Sequence, residues 1–438
     1  LNKVLIIADD LTGANDTGVQ FAKQGFHTLS LIELQENIYR HEADVIVFNA
    51  ETRAMDAEKA FQKMKAVAET LAISDFPVVY KKIDSTMRGN IGAEIDALLD
   101  TGIFDAAVVL PAYPKNGRVT AGGYHIVHEC LLEDTETARD PKCPVGESHL
   151  PTLLASQSRR VIGHIDIRMI RKRQIVNEMR KCLNRNAEIV VFDSFLQEDL
   201  KSVTAAVKES GLKVLWVGSA GMAESLSDSM EQPVEQEQSR RLPAGPEGNP
   251  SVFIIAGSVS AATRRQISAL TEQSDCRLIV ANPLFLLDDS RREQEMAQLL
   301  GAIVEIAANG HSPVLTTDVS SQVIEDLHSF QEKTGKGSME IGNTIAECLG
   351  KVSAAVISSQ DFAGLILTGG DIAYSTCKHL GVTALRIIDE VEEGIPLSEI
   401  VGGRLNGLPL VTKAGGFGDA DSLVNAMNKI NRLIRGSI

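Results

Sequence analysis

Short, unbroken apolar runs that halt at small polar turns recur along this chain, and each is followed by a helix-like stretch. The first, Val4-Leu5-Ile6-Ile7-Ala8, stops at Asp9 and Asp10, turns through Leu11-Thr12-Gly13, and continues into a helical segment with Val19, Phe21 and Ala22. Asp44–Phe48 leads in the same way to Asn49-Ala50-Glu51-Thr52-Arg53, and Pro77–Lys81 to Lys82-Ile83-Asp84-Ser85. Ala106–Leu110, Ile189–Phe192 and Lys213–Val217 repeat the pattern. An apolar run without alternation reads as a strand buried on both faces, and such strands alternating with helices predict an α/β fold with doubly wound, mainly parallel sheets. Ligands bind such sheets outside the carboxyl ends of the strands, so the polar turns are where chemistry is expected.

A chain of 438 residues is too long for one ordinary core. Between Glu231 and Pro250 the composition shifts to Gln, Glu, Pro and Gly without apolar periodicity, which predicts a linker. The pattern restarts at Val252–Ala256 and continues through Arg277–Ala281, Pro313–Thr316, Gly364–Leu367 and Leu408–Thr412. Two α/β domains are predicted, 1–230 and 251–438, joined by 231–250. The stretch from Pro114 to Val161, rich in Gly, Pro and charge, is expected to be a long surface excursion near the site.

The formal net charge is −15, with Lys and Arg scattered, so no basic field is available for nucleic acid or an anionic membrane. No apolar run approaches the roughly 20 residues that span a bilayer. The first residues enter a strand at once, so no secretory signal is expected. The six cysteines show neither CxxC nor zinc spacing and read as reduced thiols, which predicts a cytoplasmic protein.

Three strand ends of the first domain gather charge: Asp9 and Asp10; Arg53; and Lys82, Asp84, Ser85 and Arg88. If their strands are neighbours, cations can clamp a carboxylate while Asp and Ser take hydroxyls, which suits a polyhydroxy acid. The competing reading makes each an N-cap or surface ion pair, with Asp16, Asp56 and Ser85 as candidate caps. In the second domain Gly257-Ser258-Val259-Ser260, Leu367-Thr368-Gly369-Gly370 and Lys413-Ala414-Gly415-Gly416 are glycine-rich strand–turn–helix junctions suited to phosphate, which Lys413 could neutralise. There is no GxxxxGK[ST], and Gly416-Phe417-Gly418 lacks the rest of a dinucleotide fingerprint. His125 and His128 could share a helix face as metal ligands, but no third ligand is recognisable and no metal site is assigned; ordinary structural histidines are the simpler reading. Trp216 reads as core.

Taken together, Ile7-Ala8-Asp9-Asp10-Leu11-Thr12-Gly13-Ala14, Lys81-Lys82-Ile83-Asp84-Ser85-Thr86-Met87-Arg88-Gly89, Pro111-Ala112-Tyr113-Pro114, Gly257-Ser258, Leu367-Thr368-Gly369-Gly370-Asp371 and Lys413-Ala414-Gly415-Gly416-Phe417-Gly418 resemble the four-carbon acid sugar kinase family (DUF1537). The resemblance covers nearly the whole chain. The variant Asp10-Leu11-Thr12-Gly13-Ala14-Asn15 looks most like the D-threonate branch, with D-erythronate and 3-oxo-tetronate as alternatives.

The resemblance implies an N-terminal sugar-acid domain, a C-terminal nucleotide domain, an active site in the interdomain cleft, and transfer of the ATP γ-phosphoryl group to the C4 hydroxyl with Mg²⁺. It implies substrate contacts at Asp10, Arg53, Lys82, Ile83, Asp84 and Ser85, of which Asp10, Asp84 and Lys82 are the catalytic candidates. It implies ATP contacts at Ser258, Leu367, Thr368, Gly369, Gly370, Gly415 and Gly416. Arg53 and Lys82 would hold the carboxylate and hydroxyls, and Mg²⁺ would draw on one or two carboxylates, Asp9 among the candidates. A homodimer is one candidate assembly. Two readings from other classes compete: an NAD-dependent hydroxy-acid dehydrogenase and a non-catalytic sugar-acid sensor.

Overall fold

The computed structural model describes residues 4–33, 43–140, 142–232, 251–257 and 260–435. The chain divides into two compact units, 1–234 and 235–438. Most of the expected linker, 233–250, lies outside the described residues.

In the first unit the strands are β1 Val4–Ala8, β2 Thr28–Leu31, β3 Val45–Asn49, β4 Val78–Lys82, β5 Ala106–Leu110, β6 Arg118–Ala121, β7 Tyr124–Val127, β8 Cys130–Leu131, β9 Val161–Ile165, β10 Ala187–Phe192 and β11 Val214–Gly218. The helices are α1 Leu11–Ala22, α2 Ala57–Thr70, α3 Ile91–Leu99, α4 Leu150–Gln157, α5 Ile167–Arg171, α6 Ile175–Asn184, α7 Gln197–Glu209 and α8 Ala220–Asp228. Its main sheet runs β2-β3-β1-β4-β11-β5-β10-β9, parallel throughout. Every residue of β1 and β5 is buried, as a strand covered by helices on both faces requires. Trp216 packs in this core with Tyr80, Val108 and Val190.

The chain leaves β1 toward β3 on one side and returns to β4 on the other. That reversal opens a crevice at the carboxyl ends of β1 and β4. The Asp10 side chain caps α1 by accepting from the Gly13 N–H, and the Asp56 side chain caps α2 as expected. Asp16 lies inside α1 instead of capping it, and Ser85 caps no helix, since α3 begins after Asn90.

Residues 114–161 are not a simple surface excursion. They hold the antiparallel sheet β6-β7-β8 and α4, with Thr120, His125, Leu132, Leu150 and Leu154 fully buried. Gly122 and Gly123, both at positive φ, make the β6–β7 turn, and their N–H groups donate to the buried Asp193 carboxylate at 2.7 and 2.9 Å. His125 and His128 therefore sit on a strand and its following turn, not on a helix. The Tyr124-His125-Ile126-Val127 run beside a Gly-Gly turn favours that extended pairing.

The second unit contains β12 Val252–Ala256, α9 Ala261–Gln273, β13 Cys276–Ala281, α10 Pro283–Leu287, α11 Arg292–Ala308, β14 Ser312–Thr317, α12 Ser321–Thr334, α13 Ser338–Ser359, β15 Gly364–Thr368, α14 Gly370–His379, β16 Ala384–Glu392, β17 Ile395–Val401, β18 Pro409–Lys413 and α15 Ser422–Ile434. Its strands run β13-β14-β12-β15-β18-β17-β16. The first five are parallel, and β17 pairs antiparallel with both β18 and β16. The order β13-β14-β12-β15 repeats β2-β3-β1-β4, so this unit too has its reversal point at its first strand, between Ala256 and Thr368. No described helix is long and apolar enough to cross a membrane.

Candidate active site

At the carboxyl ends of β1, β3 and β4 the three sequence-predicted clusters do meet. The Arg53 guanidinium bridges both aspartates after β1: Nε donates to Asp9 Oδ2 at 2.8 Å, and Nη2 to Asp9 Oδ1 at 2.9 Å and Asp10 Oδ1 at 2.6 Å. The Thr12 hydroxyl takes Asp10 Oδ2 at 2.6 Å. Burial alone would push the Asp9 carboxyl up, but Arg53, with Lys81 and Lys82 contributing, holds it below the usual carboxylate range. Gly89, at φ +98°, lets the chain pass close to this pair; a Cβ there would meet Arg53 Cγ at 3.3 Å and Asp9 Oδ2 at 3.4 Å.

Successive residues of β4 point to opposite faces, which separates its two lysines. Lys81 is fully buried, 2.9 Å from the Glu94 carboxylate, and also donates to the Lys82 carbonyl at 2.8 Å. Lys82 lies beside Gly13 and makes no ion pair or side-chain hydrogen bond with the described residues. Ile83 is buried, its N–H bonded to the Gly218 carbonyl at 2.9 Å, so only its backbone could reach a ligand.

Asp84 accepts from Arg88 Nε at 2.7 Å, Arg88 Nη2 at 3.1 Å and the Thr86 hydroxyl at 2.5 Å. Burial works against its charge, yet Arg88 and Arg53 keep the carboxyl well below its ordinary range. Arg88 also reaches Asp140 at 3.1 Å, and the Cys143 thiol donates to the Arg53 carbonyl at 3.2 Å, so the 114–161 segment does border the site. His125 Nε2 faces the Ser85 carbonyl at 2.8 Å and Nδ1 the Thr120 hydroxyl at 3.1 Å. Since a carbonyl only accepts, Nε2 carries the proton. Burial lowers the His125 pKa to about 4, so the ring is neutral. The alternating pattern of residues 124–127 was the one sequence signal that could have placed His125 here.

In the second unit the glycine turns lie at the carboxyl ends of β12, β15 and β18. Ser258 lies outside the described residues. Leu367 and Thr368 are buried in β15, so a nucleotide could meet only their backbone, whereas Gly369, at φ +101°, leads directly into α14. Lys413 is not turned toward an open site. It is buried, and its ammonium donates to the carbonyls of Ala414 at 2.9 Å, Gly415 at 3.3 Å and Phe417 at 3.1 Å. Burial lowers its pKa to about 8.

The Ser260 and Thr263 hydroxyls hold the Gly415 carbonyl at 2.6 and 2.9 Å, and Gln266 Nε2 holds those of Phe417 and Asp419. With these carbonyls turned inward, the N–H groups of Gly415 and Gly416 donate to no acceptor among the described residues, as a phosphate-binding turn requires. Among the described residues no group of three or more His, Cys, Asp or Glu is arranged to hold a metal ion, and both Asp9 oxygens are occupied by Arg53. No protein ligand set for Mg²⁺ is therefore assigned.

Two domain families match the chain: the sugar-binding N-terminal domain over residues 4–226 and the nucleotide-binding C-terminal domain over residues 253–423. The chain is 33% identical over 437 residues to the D-threonate kinase of Salmonella typhimurium, covering 99% of this chain and 100% of that protein. It is 31% identical over 431 residues to the D-erythronate kinase of Heliobacterium modesticaldum, covering 96% and 95%. Among solved structures, a Salmonella typhimurium LT2 protein superposes with a TM-score of 0.77 at 22% identity, covering 98% of this chain and 100% of that one, which bears on the fold alone.

Proposed function

The chain belongs to the four-carbon acid sugar kinase family and is an ATP-dependent sugar-acid kinase, and from that premise we propose that its preferred substrate is D-threonate, converted to 4-phospho-D-threonate. The full-length similarity to a D-threonate kinase carries the choice of substrate. The alternatives, D-erythronate and 3-oxo-tetronate, differ at a single carbon centre. The need for ATP gives the cytoplasm as the compartment.

Phosphoryl transfer depends mainly on positioning and charge neutralisation, with little covalent work for the protein. The C4 oxygen forms the new bond to the γ-phosphorus, the bond from that phosphorus to the β–γ bridging oxygen breaks, and ADP leaves. The proton of the C4 hydroxyl passes to a carboxylate. Asp10 and Asp84 are the two carboxylates proposed for that task, each held in place by its own cation, Arg53 or Arg88. Arg53 keeps its Nη1 edge for a substrate hydroxyl, and Lys82 brings an ammonium with no carboxylate partner among the described residues. The Ser85 hydroxyl is proposed to take a further substrate hydroxyl.

On the nucleotide side, the backbone from Leu367 to Gly370, the Gly415–Gly416 turn and Ser258 are the proposed contacts. The helix N-termini behind these turns add a field favourable to phosphate. Mg²⁺ is proposed to arrive with ATP, neutralising its phosphate charge.

The test is ADP release from Mg-ATP with D-threonate, D-erythronate and 3-oxo-tetronate. The highest kcat/KM is expected for D-threonate. A higher value for either other acid overturns the substrate choice, and no turnover with any of them overturns the reading as a whole.

A further inference from the structure

Three of the cations around the crevice are already neutralised: Arg53 by Asp9 and Asp10, Arg88 by Asp84 and Asp140, and Lys81 by Glu94. Arg118, at the start of β6, is not. Its Nη1 donates to the Asn116 carbonyl; among the described residues its buried Nε has no hydrogen-bond partner and no carboxylate forms an ion pair with it. Burial pulls its pKa down, with Asp84 and Asp16 opposing and Arg88 adding to the effect. Arg118 is partly buried; a guanidinium partly withdrawn from water without a counter-ion is costly, and an arriving anion offsets that cost.

The hairpin register fixes where Arg118 stands. Thr120 pairs with His125 and Arg118 with Val127 across β6 and β7. Residues two apart on a strand share a face, so Arg118, Thr120 and His125 lie on one side of the hairpin. His125 bonds the Ser85 carbonyl from that side. Arg118 is therefore presented from the same face that meets the Asp84–Ser85 turn, about thirty residues further along the chain.

Building on the sugar-acid kinase reading, we propose that Arg118 is the substrate-binding residue that grips the carboxylate of the four-carbon acid, with Lys82 supplying the second positive charge. The planar fork of a guanidinium matches a carboxylate in two-point contact, whereas Arg53 has spent two of its nitrogens on aspartates. On this assignment the kinase distinguishes acids from neutral polyols or amides chiefly through a residue contributed by the hairpin, with Lys82 at the end of β4 as the lesser contributor.

The experiment compares wild type, Arg118→Gln and Arg118→Lys by calorimetric binding of D-threonate, D-erythronate and neutral D-threonamide, with ATP binding as the control. Wild type is expected to favour acid over amide by roughly 10- to 150-fold, the range for a hydrogen bond to a charged group. Arg118→Gln is expected to lose that preference while binding the amide and ATP within about twofold of wild type, and Arg118→Lys to recover part of it. A full acid preference retained in Arg118→Gln overturns the assignment. So does equal weakening of acid, amide and ATP, which marks a structural role. Binding of D-erythronate in place of D-threonate by wild type overturns the substrate choice instead, and the Arg118 comparison then reads on that acid.

Discussion

The Lys81 ammonium and the Glu94 carboxylate lie 2.9 Å apart with both side chains at most 1% exposed. Lys81 is on β4, one residue before Lys82, and Glu94 is in the first turn of α3, with the Thr52 hydroxyl beside it. The pair stands between the sheet and the helix, next to the Asp9–Arg53 bridge. Burial raises the Glu94 pKa and Lys81 opposes that rise. Glu94→Gln is expected to destabilise the protein by about 3–5 kcal/mol, because it leaves Lys81 buried and uncompensated. The double variant Lys81→Met/Glu94→Leu should recover most of that loss in urea denaturation. A Glu94→Gln protein within about 1 kcal/mol of wild type shows that the pair is not what the site rests on.

Gly13 lies where a side chain would collide with the site. A Cβ there would come within 2.4 Å of Asp10 Oδ1 and 2.9 Å of Lys82 Nζ. Gly13→Ala is expected to reduce kcat/KM for the sugar acid by about 100-fold through displacement of those groups, with KM for ATP unchanged. Equal losses toward both substrates would contradict a local effect.

His125 makes stability pH-dependent in a defined window. The unfolded ring titrates near 6.5 and the folded ring near 4, so between these values the unfolded chain binds more protons. The contribution is full above pH 6.5 and disappears as pH falls toward 4, a change of about 3 kcal/mol. His125→Gln should show a shallower acid loss over that interval in denaturant titrations. Parallel curves for the two proteins would sink this account.

Lys413 is expected to set an alkaline limb. Its ammonium, with a pKa of about 8, supplies three hydrogen bonds to the 414–417 turn. As it deprotonates, one donor is lost, and kcat/KM for ATP should decline above pH 8 while KM for the acid stays level. Lys413→Met should lack the limb and raise KM for ATP by on the order of tenfold, the loss of a charge-assisted hydrogen bond. A Lys413→Met enzyme with unaltered ATP kinetics contradicts the clasp.

The sequence exposes the frame of the fold because β1, β5 and β15 are unbroken apolar runs, and only strands covered on both faces look that way. It hides β16 and β17, where Arg386, Asp389 and Glu390 interrupt the run and the pairing turns antiparallel. The charged strand ends were legible as a group because they follow such runs directly. Arg118 was not, since the Gly122-Gly123 turn marks the hairpin but no local pattern says that its face packs against the Asp84–Ser85 turn. Nor was the Lys81–Glu94 pair, which needs α3 to fold back onto β4. For Lys413, the reading from residue type looked outward to phosphate, whereas the side chain satisfies the carbonyls of its own turn. A flexible lysine can do either, and the choice lies in backbone geometry.

Arg53 stands 43 residues from Asp10, and Arg118 another 65 beyond Arg53. Parallel strands demand a complete crossover before any two of them pair, so these groups acquire fixed positions only after several long chain closures. No excised peptide from the first unit should retain affinity for the acid. Binding of the sugar acid can thus serve as a reporter of the refolding of this unit, gained late and all at once, where helical signals would rise earlier.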